Sequence, residues 1–210
     1  MSTHARALTR LGFATLVVVA LVMAANHVAA RLAFDSGADV MTAVAVRSGA
    51  TGVATALILL AQRVPLTLNA RQWRALLAIG LLIGVQSIWL YSAVARLPVA
   101  LALLAFNTYP LCTALWARVL LRQRLQRRLL VAMMVLLVGL ALALDVLGAS
   151  SGLGMSGQWQ RMGVGVAFAL AASLIFSLAL VLTQHGAGGV DGRLRTCVSM
   201  AVAGVVALVV

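Results

Sequence analysis

Residues 75–128 read ALLAIGLLIGVQSIWLYSAVARLPVALALLAFNTYPLCTALWARVLLRQRLQRR. Two long apolar runs meet at the short turn Arg96-Leu97-Pro98. The first, 75–95, has 21 residues and no charge. As a helix it would rise roughly 31 Å, the thickness of a bilayer's hydrocarbon core. The second, 99–117, has 19 residues and no charge, and stops at Arg118, Arg122, Arg124, Arg127 and Arg128. This pattern predicts a transmembrane hairpin with a basic, cytoplasmic anchor. Its middle carries groups that a plain anchor does not need: Gln86, Asn107, Tyr109 and the helix-breaking Pro110.

The rest of the chain is of the same kind. It has 210 residues, is 63% hydrophobic and 10% charged, and has a mean hydropathy of +1.08. Those values exclude an ordinary soluble domain and a disordered chain. A net charge of +12 would suggest nucleic acid in a soluble protein. Here the arginines lie mainly at the ends of apolar runs, no basic stripe is interleaved with aromatics, and nucleic acid is excluded as a partner. Cys112 and Cys197 lie singly inside apolar runs and form neither a disulfide framework nor a metal site.

Working outward from the hairpin, residues 11–30 form a first apolar run after a short basic start. A signal peptide would fit its outline, but every later segment is also membrane-like, so a retained first span is expected. Asn26, His27, Arg31 and Asp35 mark its end. His27, Arg31 and Asp35 are four apart and share one face if the helix continues that far. Residues 40–61 are the second span, with Arg47 inside it. The hairpin supplies spans three and four, and Gly80 and Gly84 form a GxxxG that permits close helix packing. Residues 129–147 are the fifth span, with Asp145 near its end. A Gly/Ser-rich loop follows, then a sixth span at 162–183, a Gly-rich loop and the start of a seventh at 196–210. Arginine placement alternates so that the N-terminus is cytoplasmic, in a multi-pass protein of the cell inner membrane.

A shift of 154 residues lays 40–44 over 194–198 and the first span over 165–185. A unit of five spans puts its second copy upside down, and the charge pattern agrees. Inverted repeats are a signature of secondary transporters.

The carriers of a family resemblance are the polar end of span one (Asn26, His27, Arg31), Arg47-Ser48-Gly49 in span two, the segment from Tyr91 to Ala100 around Arg96-Leu97-Pro98, Asn107-Thr108-Tyr109-Pro110-Leu111, the arginine-rich turn and the fifth span with Gly139. On these the sequence resembles the drug/metabolite transporter superfamily, EamA type. The resemblance implies an all-α bundle of two inverted five-helix repeats around a central cavity, and mostly outward transport of amino acids, metabolites or drugs. It divides the chain into a first repeat at 1–147, an outer loop at 148–161 and an incomplete second repeat of about two helices at 162–210, with about three further spans absent after Val210. Two departures stand out: that length, and the lack of an acidic residue in Arg122-Gln123-Arg124.

Gln86 and Asn107 both fall near the middle of their spans, where a polar group is costly unless it is bonded or faces a cavity. A helix–helix hydrogen bond worth about 0.6 kcal/mol is one outcome; substrate contact is the other. Pro110 removes the hydrogen bond to the Phe106 carbonyl and can kink span four beside Asn107 and Tyr109. Tyr91 and Trp116 fit interfacial belts, whereas Trp89 lies deeper and is a cavity candidate. The substrate-binding candidates are therefore Gln86, Trp89, Asn107, Tyr109 and Pro110. His27, Arg47 and Asp145 approach one side and are gating or coupling candidates, with Arg47 as an anion-attracting mouth and His27 as a proton carrier.

Residues 148–152 match G-x-S-x-G, and His185 follows. The motif lies in a loop on the opposite side of the membrane from His185, so a Ser150 hydrolase is disfavoured. No Walker-type loop, metal cluster or cofactor motif is present. The sequence thus predicts a secondary carrier of a small organic solute, working by alternating access in a lipid bilayer. The alternative is a truncated membrane protein that does not transport. The inner faces of spans six and seven would meet lipid or another chain, for which a homodimer is a candidate.

Overall fold

The computed structural model describes residues 10–64, 67–122, 127–143, 145, 150 and 154–210. Their regular structure is entirely helical: α1 Arg10–Asp35, α2 Val40–Ala61, α3 Ala70–Arg96, α4 Val99–Phe106, α5 Tyr109–Leu121, α6 Arg127–Ala143, α7 Gly154–Gly186 and α8 Gly192–Val209. With α4 and α5 taken as one span, six stretches among the described residues are long and apolar enough to cross a membrane. The molecule is a multi-spanning helical bundle.

The starts of three helices follow from their caps. Asn69 accepts the N–H of Gln72, whose side chain in turn accepts the N–H of Asn69, a reciprocal box that opens α3. Asp191 accepts the N–H of Arg193 at the start of α8. Asp39 accepts the N–H groups of Met41 and Thr42 and the Thr42 hydroxyl ahead of α2. The Thr42 hydroxyl above all, then its N–H, holds the Asp39 carboxyl below the usual carboxylate range. A folded pKa below the unfolded one means a contribution that is whole above the ordinary range and lost as pH falls through the folded value. Melting temperature should therefore fall more steeply on acidification in the wild type than in Asp39→Asn, which keeps a capping oxygen but cannot titrate. Equal acid slopes in the two proteins would show that this cap is not coupled to pH.

Six of the seven expected spans are present with shifted ends; the fifth, expected at 129–147, is described as the 17-residue helix α6, and its far end lies outside the described residues. α1 continues to Asp35, so the three residues spaced by four do share a turn-to-turn face. Arg31 pairs with Asp35 at 3.1 Å and donates to the carbonyls of Val94 (2.9 Å) and Ala95 (3.0 Å), which lie unpaired at the end of α3. α7 begins at Gly154, earlier than the loop reading of 148–161 allowed. In this extended first part the Trp159 ring lies back over Gly163, 2.8 Å from where a Cβ would stand. The arginine-rich turn at 123–126 lies outside the described residues, as do the basic start at 1–9 and Pro65.

α3 is the axis of the bundle. Of its most apolar window 56% is buried, against 11% for α1, whose large side chains from Leu11 to Met23 face outward. α3 packs mainly on α7 and α8. Its GxxxG faces α8: a Cβ on Gly80 would lie 2.7 Å from Val202 Cβ and 3.2 Å from Ser199 Cα, and one on Gly84 would lie 3.1 Å from Ala203 Cα. A buried cluster of Ala93, Val94, Leu97, Ala102, Ala105, Val166 and Ala169 binds the hairpin to α7.

α2 crosses α8 antiparallel. Cys197 lies by the Gly52 carbonyl, Gly204 lies by Ser48, and Val44 shares a buried cluster with Ala207.

Candidate functional site

The polar groups of the first three helices converge where α1 ends and α2 begins. Tyr91, 2% exposed, is the centre. Asn26 Nδ2 donates to its hydroxyl at 3.0 Å. His27 and Phe34 meet its ring edge-on, at centroid distances of 6.0 and 5.9 Å. The Arg47 guanidinium lies over the same ring at 5.3 Å and donates through Nη2 to Ser87 Oγ at 3.0 Å. Ser87 and Tyr91 are four apart on α3 and present one face to both partners.

Two features of this cluster are chemically unfinished. The ion pair among the described residues is Arg31–Asp35, so Arg47 sits within a membrane span with a hydroxyl and a ring face but no carboxylate. His27 Nδ1 lies 2.8 Å from the Met23 carbonyl, so that nitrogen carries the hydrogen. This leaves Nε2 as the acceptor in a neutral ring, and Nε2 is buried without a partner. Buried orphan acceptors are uncommon, and each costs about 1–3 kcal/mol.

A second polar feature interrupts span four. α4 stops at Phe106 and α5 starts at Tyr109, with Pro110 in its first turn. Thr108, between them, is buried; its Oγ1 donates to the Ala105 carbonyl at 2.8 Å and lies 3.0 Å from Ser173 Oγ on α7. Side-chain hydroxyls thus serve polar groups at a break that lipid could not. Tyr109 packs edge-on against Phe176 of α7, with centroids 5.1 Å apart, and beside Phe106 at 5.7 Å.

The sequence candidates divide accordingly. His27 and Arg47 are brought together across Tyr91. Asp145 is not part of their network: it follows α6, which packs on α4, and its Oδ1 accepts the Ser150 N–H at 3.1 Å. Gln86 and Asn107, read as midplane neighbours, are not bonded to one another. Gln86 is buried on α3, whereas Asn107 caps α4 with its side chain exposed. Asn107 stands at the break itself, between the end of α4 and the start of α5. Trp89 lines an open apolar cavity of about 310 Å³ with Val164, Ala167, Phe168 and Ala171 of α7.

Tyr91 is the correction. An interfacial belt residue should be exposed, yet this ring is buried and organises the cluster. The signal was the Ser87–Tyr91 spacing, opposite a histidine on one neighbour and an arginine on the other. Trp116, by contrast, is half-buried, and its indole donates across to the Leu174 carbonyl of α7 at 3.1 Å. Of the 148–152 motif only Ser150 is described. α7, 33 residues long and so about 50 Å from end to end, separates it from His185.

The EamA-like transporter family matches residues 10–144, the stretch that holds α1 to α6. No curated protein and no solved structure matches the chain. The matched stretch is well over half of the sequence and carries the Tyr91 cluster, the broken span and the helical hairpin together; the chain belongs to the EamA-like transporter family.

Proposed function

We propose that this multi-pass membrane protein of a transporter family is a secondary exporter of a small organic solute, such as an amino acid, a metabolite or a drug, working by alternating access. The observation that carries the reading is Arg47: a cation inside a membrane span, without a carboxylate, beside a buried histidine acceptor. Intramembrane ionisable groups are costly and are kept for function. In this reading Arg47 attracts an anionic group of the solute, His27 Nε2 accepts a hydrogen bond from it, and Tyr91 holds both side chains in place as a gate.

Substrate contacts then lie along α3 and at the break in span four. Gln86 and Trp89 neighbour the cluster on α3. Asn107, Tyr109 and Pro110 lie at the break, and α7 is the wall common to Trp89 and Tyr109. Broken helices that line a cavity are the usual site architecture of secondary carriers. The arginine-rich ends of α2, α3 and α8 face the cytoplasm of the inner membrane in this reading.

The test is expression of the protein in a bacterial host exposed to a panel of toxic amino-acid analogues, metabolites and drugs, paired with counterflow of radiolabelled solutes in proteoliposomes. The expected result is raised tolerance to one chemical class and counterflow of that class. Unchanged tolerance to every member together with no counterflow would remove the carrier reading.

A further inference from the structure

At the end of the bundle opposite the Tyr91 cluster, α2 finishes while α3 and α8 begin. Between them lies an apolar cavity of about 520 Å³, lined by Leu59, Leu60, Trp73, Cys197 and Val198 among others, with Arg63 in its wall. That volume is within the roughly 300–1,000 Å³ of pockets that enclose small organic groups. Arg63 stands just past the end of α2 in the left-handed region, at φ +50°, a position that usually falls to glycine.

The surroundings of the cavity are cationic. Arg71 and Arg74 lie in the first turns of α3 and Arg193 and Arg195 in those of α8. Arg193 donates to the Gln62 side chain and so ties α8 to the end of α2. Arg74 turns back on the Ala70 carbonyl. The acid at this end, Asp191, is occupied in capping α8. Arg63 therefore has no carboxylate partner among the described residues, and it stands where an apolar slot opens at the basic end of a membrane bundle.

We propose that this cavity binds one anionic phospholipid, with an acyl chain in the slot and its phosphate on Arg63. A neutral lipid would leave Arg63 uncompensated, and a free anion would leave the apolar slot unfilled; the two halves of the site together select an amphiphile with an acidic headgroup. Basic pockets between membrane helices take acidic lipids by the same balance of charge and burial. The cavity lies at the other end of α2 and α3 from the Tyr91 cluster and shares no lining residue with it.

Trp73 in the cavity wall is the reporter. The protein is placed in phosphatidylcholine vesicles in which a minority of the lipid is brominated on its acyl chain, as either phosphatidylglycerol or phosphatidylcholine. The Trp73 component is taken as the difference from Trp73→Phe. Brominated phosphatidylglycerol is expected to quench Trp73 with about fivefold higher apparent affinity than brominated phosphatidylcholine, the factor that one arginine at a membrane surface supplies. Arg63→Gln should bring the two together, and salt should erode the preference in the unaltered protein. Equal quenching in the wild type overturns the proposal, as does a preference that salt leaves unchanged. Loss of the preference on adding inorganic phosphate, at an ionic strength where sodium chloride leaves it in place, would mean an anion site without a lipid, and protection of Trp73 from both lipids would mean that a second copy of the chain covers the slot; either result overturns it too.

Discussion

Gly84→Leu is expected to yield protein that no longer assembles α8 on α3, seen as a large loss of the monodisperse peak after detergent extraction. Helix association in lipid has no hydrophobic drive, because lipid tails are as apolar as leucine; it depends on close van der Waals contact. The α3–α8 contact achieves that closeness through Gly80 and Gly84. A Cβ on Gly84 would stand 3.1 Å from Ala203 Cα, which is backbone and cannot rotate away, and 3.1 Å from Val206 Cβ. On Gly80 it would stand 2.7 Å from Val202 Cβ. Alanine at either position should already cost about 1–3 kcal/mol, the usual range for overpacking. Leucine adds three more carbons with nowhere to go and should force the helices apart. Gly139 is the control, since a Cβ there meets nothing within 4 Å; Gly139→Ala should extract and melt as the wild type does. A Gly84→Leu protein with wild-type yield and melting temperature would mean that the close approach at Gly84 does not hold α8 on α3.

That interface also marks how much was legible in advance. Apolar run lengths locate membrane helices because a bilayer sets a minimum span, and arginine positions locate their ends, so the helices and the hairpin could be read directly. GxxxG could be read as a packing face, although its partner could not: nothing local in residues 75–95 specifies α8 over any other helix. The break in span four was legible at Pro110, whose missing N–H is a property of the residue alone. The exposure of Asn107 was not, because it depends on how the residues at the break pack, Thr108 being buried against Ser173 of α7. Tyr91 was misread for a related reason. Belt aromatics and buried aromatics look alike at the end of a span; what buries this ring is the prolongation of α1 to Asp35, which Arg31 secures on the last carbonyls of α3. Asp145 was grouped with His27 and Arg47 by depth in the membrane, and depth does not determine which helices are neighbours.

Arg47→Gln is expected to abolish or severely reduce transport while leaving the melting temperature unchanged or raised. The two halves of this expectation have one cause. A guanidinium held within a membrane span with a single hydroxyl bond to Ser87 and the face of Tyr91 is incompletely compensated, and removing such a charge relieves the protein of its desolvation. Glutamine can still donate to Ser87 Oγ, so the packing of α2 on α3 need not change. What glutamine cannot do is offer charge to an arriving anion. Hydrogen bonds to charged groups contribute about 1.5–3 kcal/mol, so apparent affinity for a solute with an acidic group should fall by about tenfold to a hundredfold. A structural arginine would behave in the opposite way: its loss would lower the melting temperature, and transport would fall only as folded protein did. Tyr91→Phe separates the cluster's parts further. It keeps the ring under Arg47 and removes only the hydroxyl that Asn26 reaches, so its transport should lie between wild type and Arg47→Gln. Transport in Arg47→Gln at the wild-type rate per folded molecule would take Arg47 out of the mechanism, and with it the reason to place the gate at Tyr91.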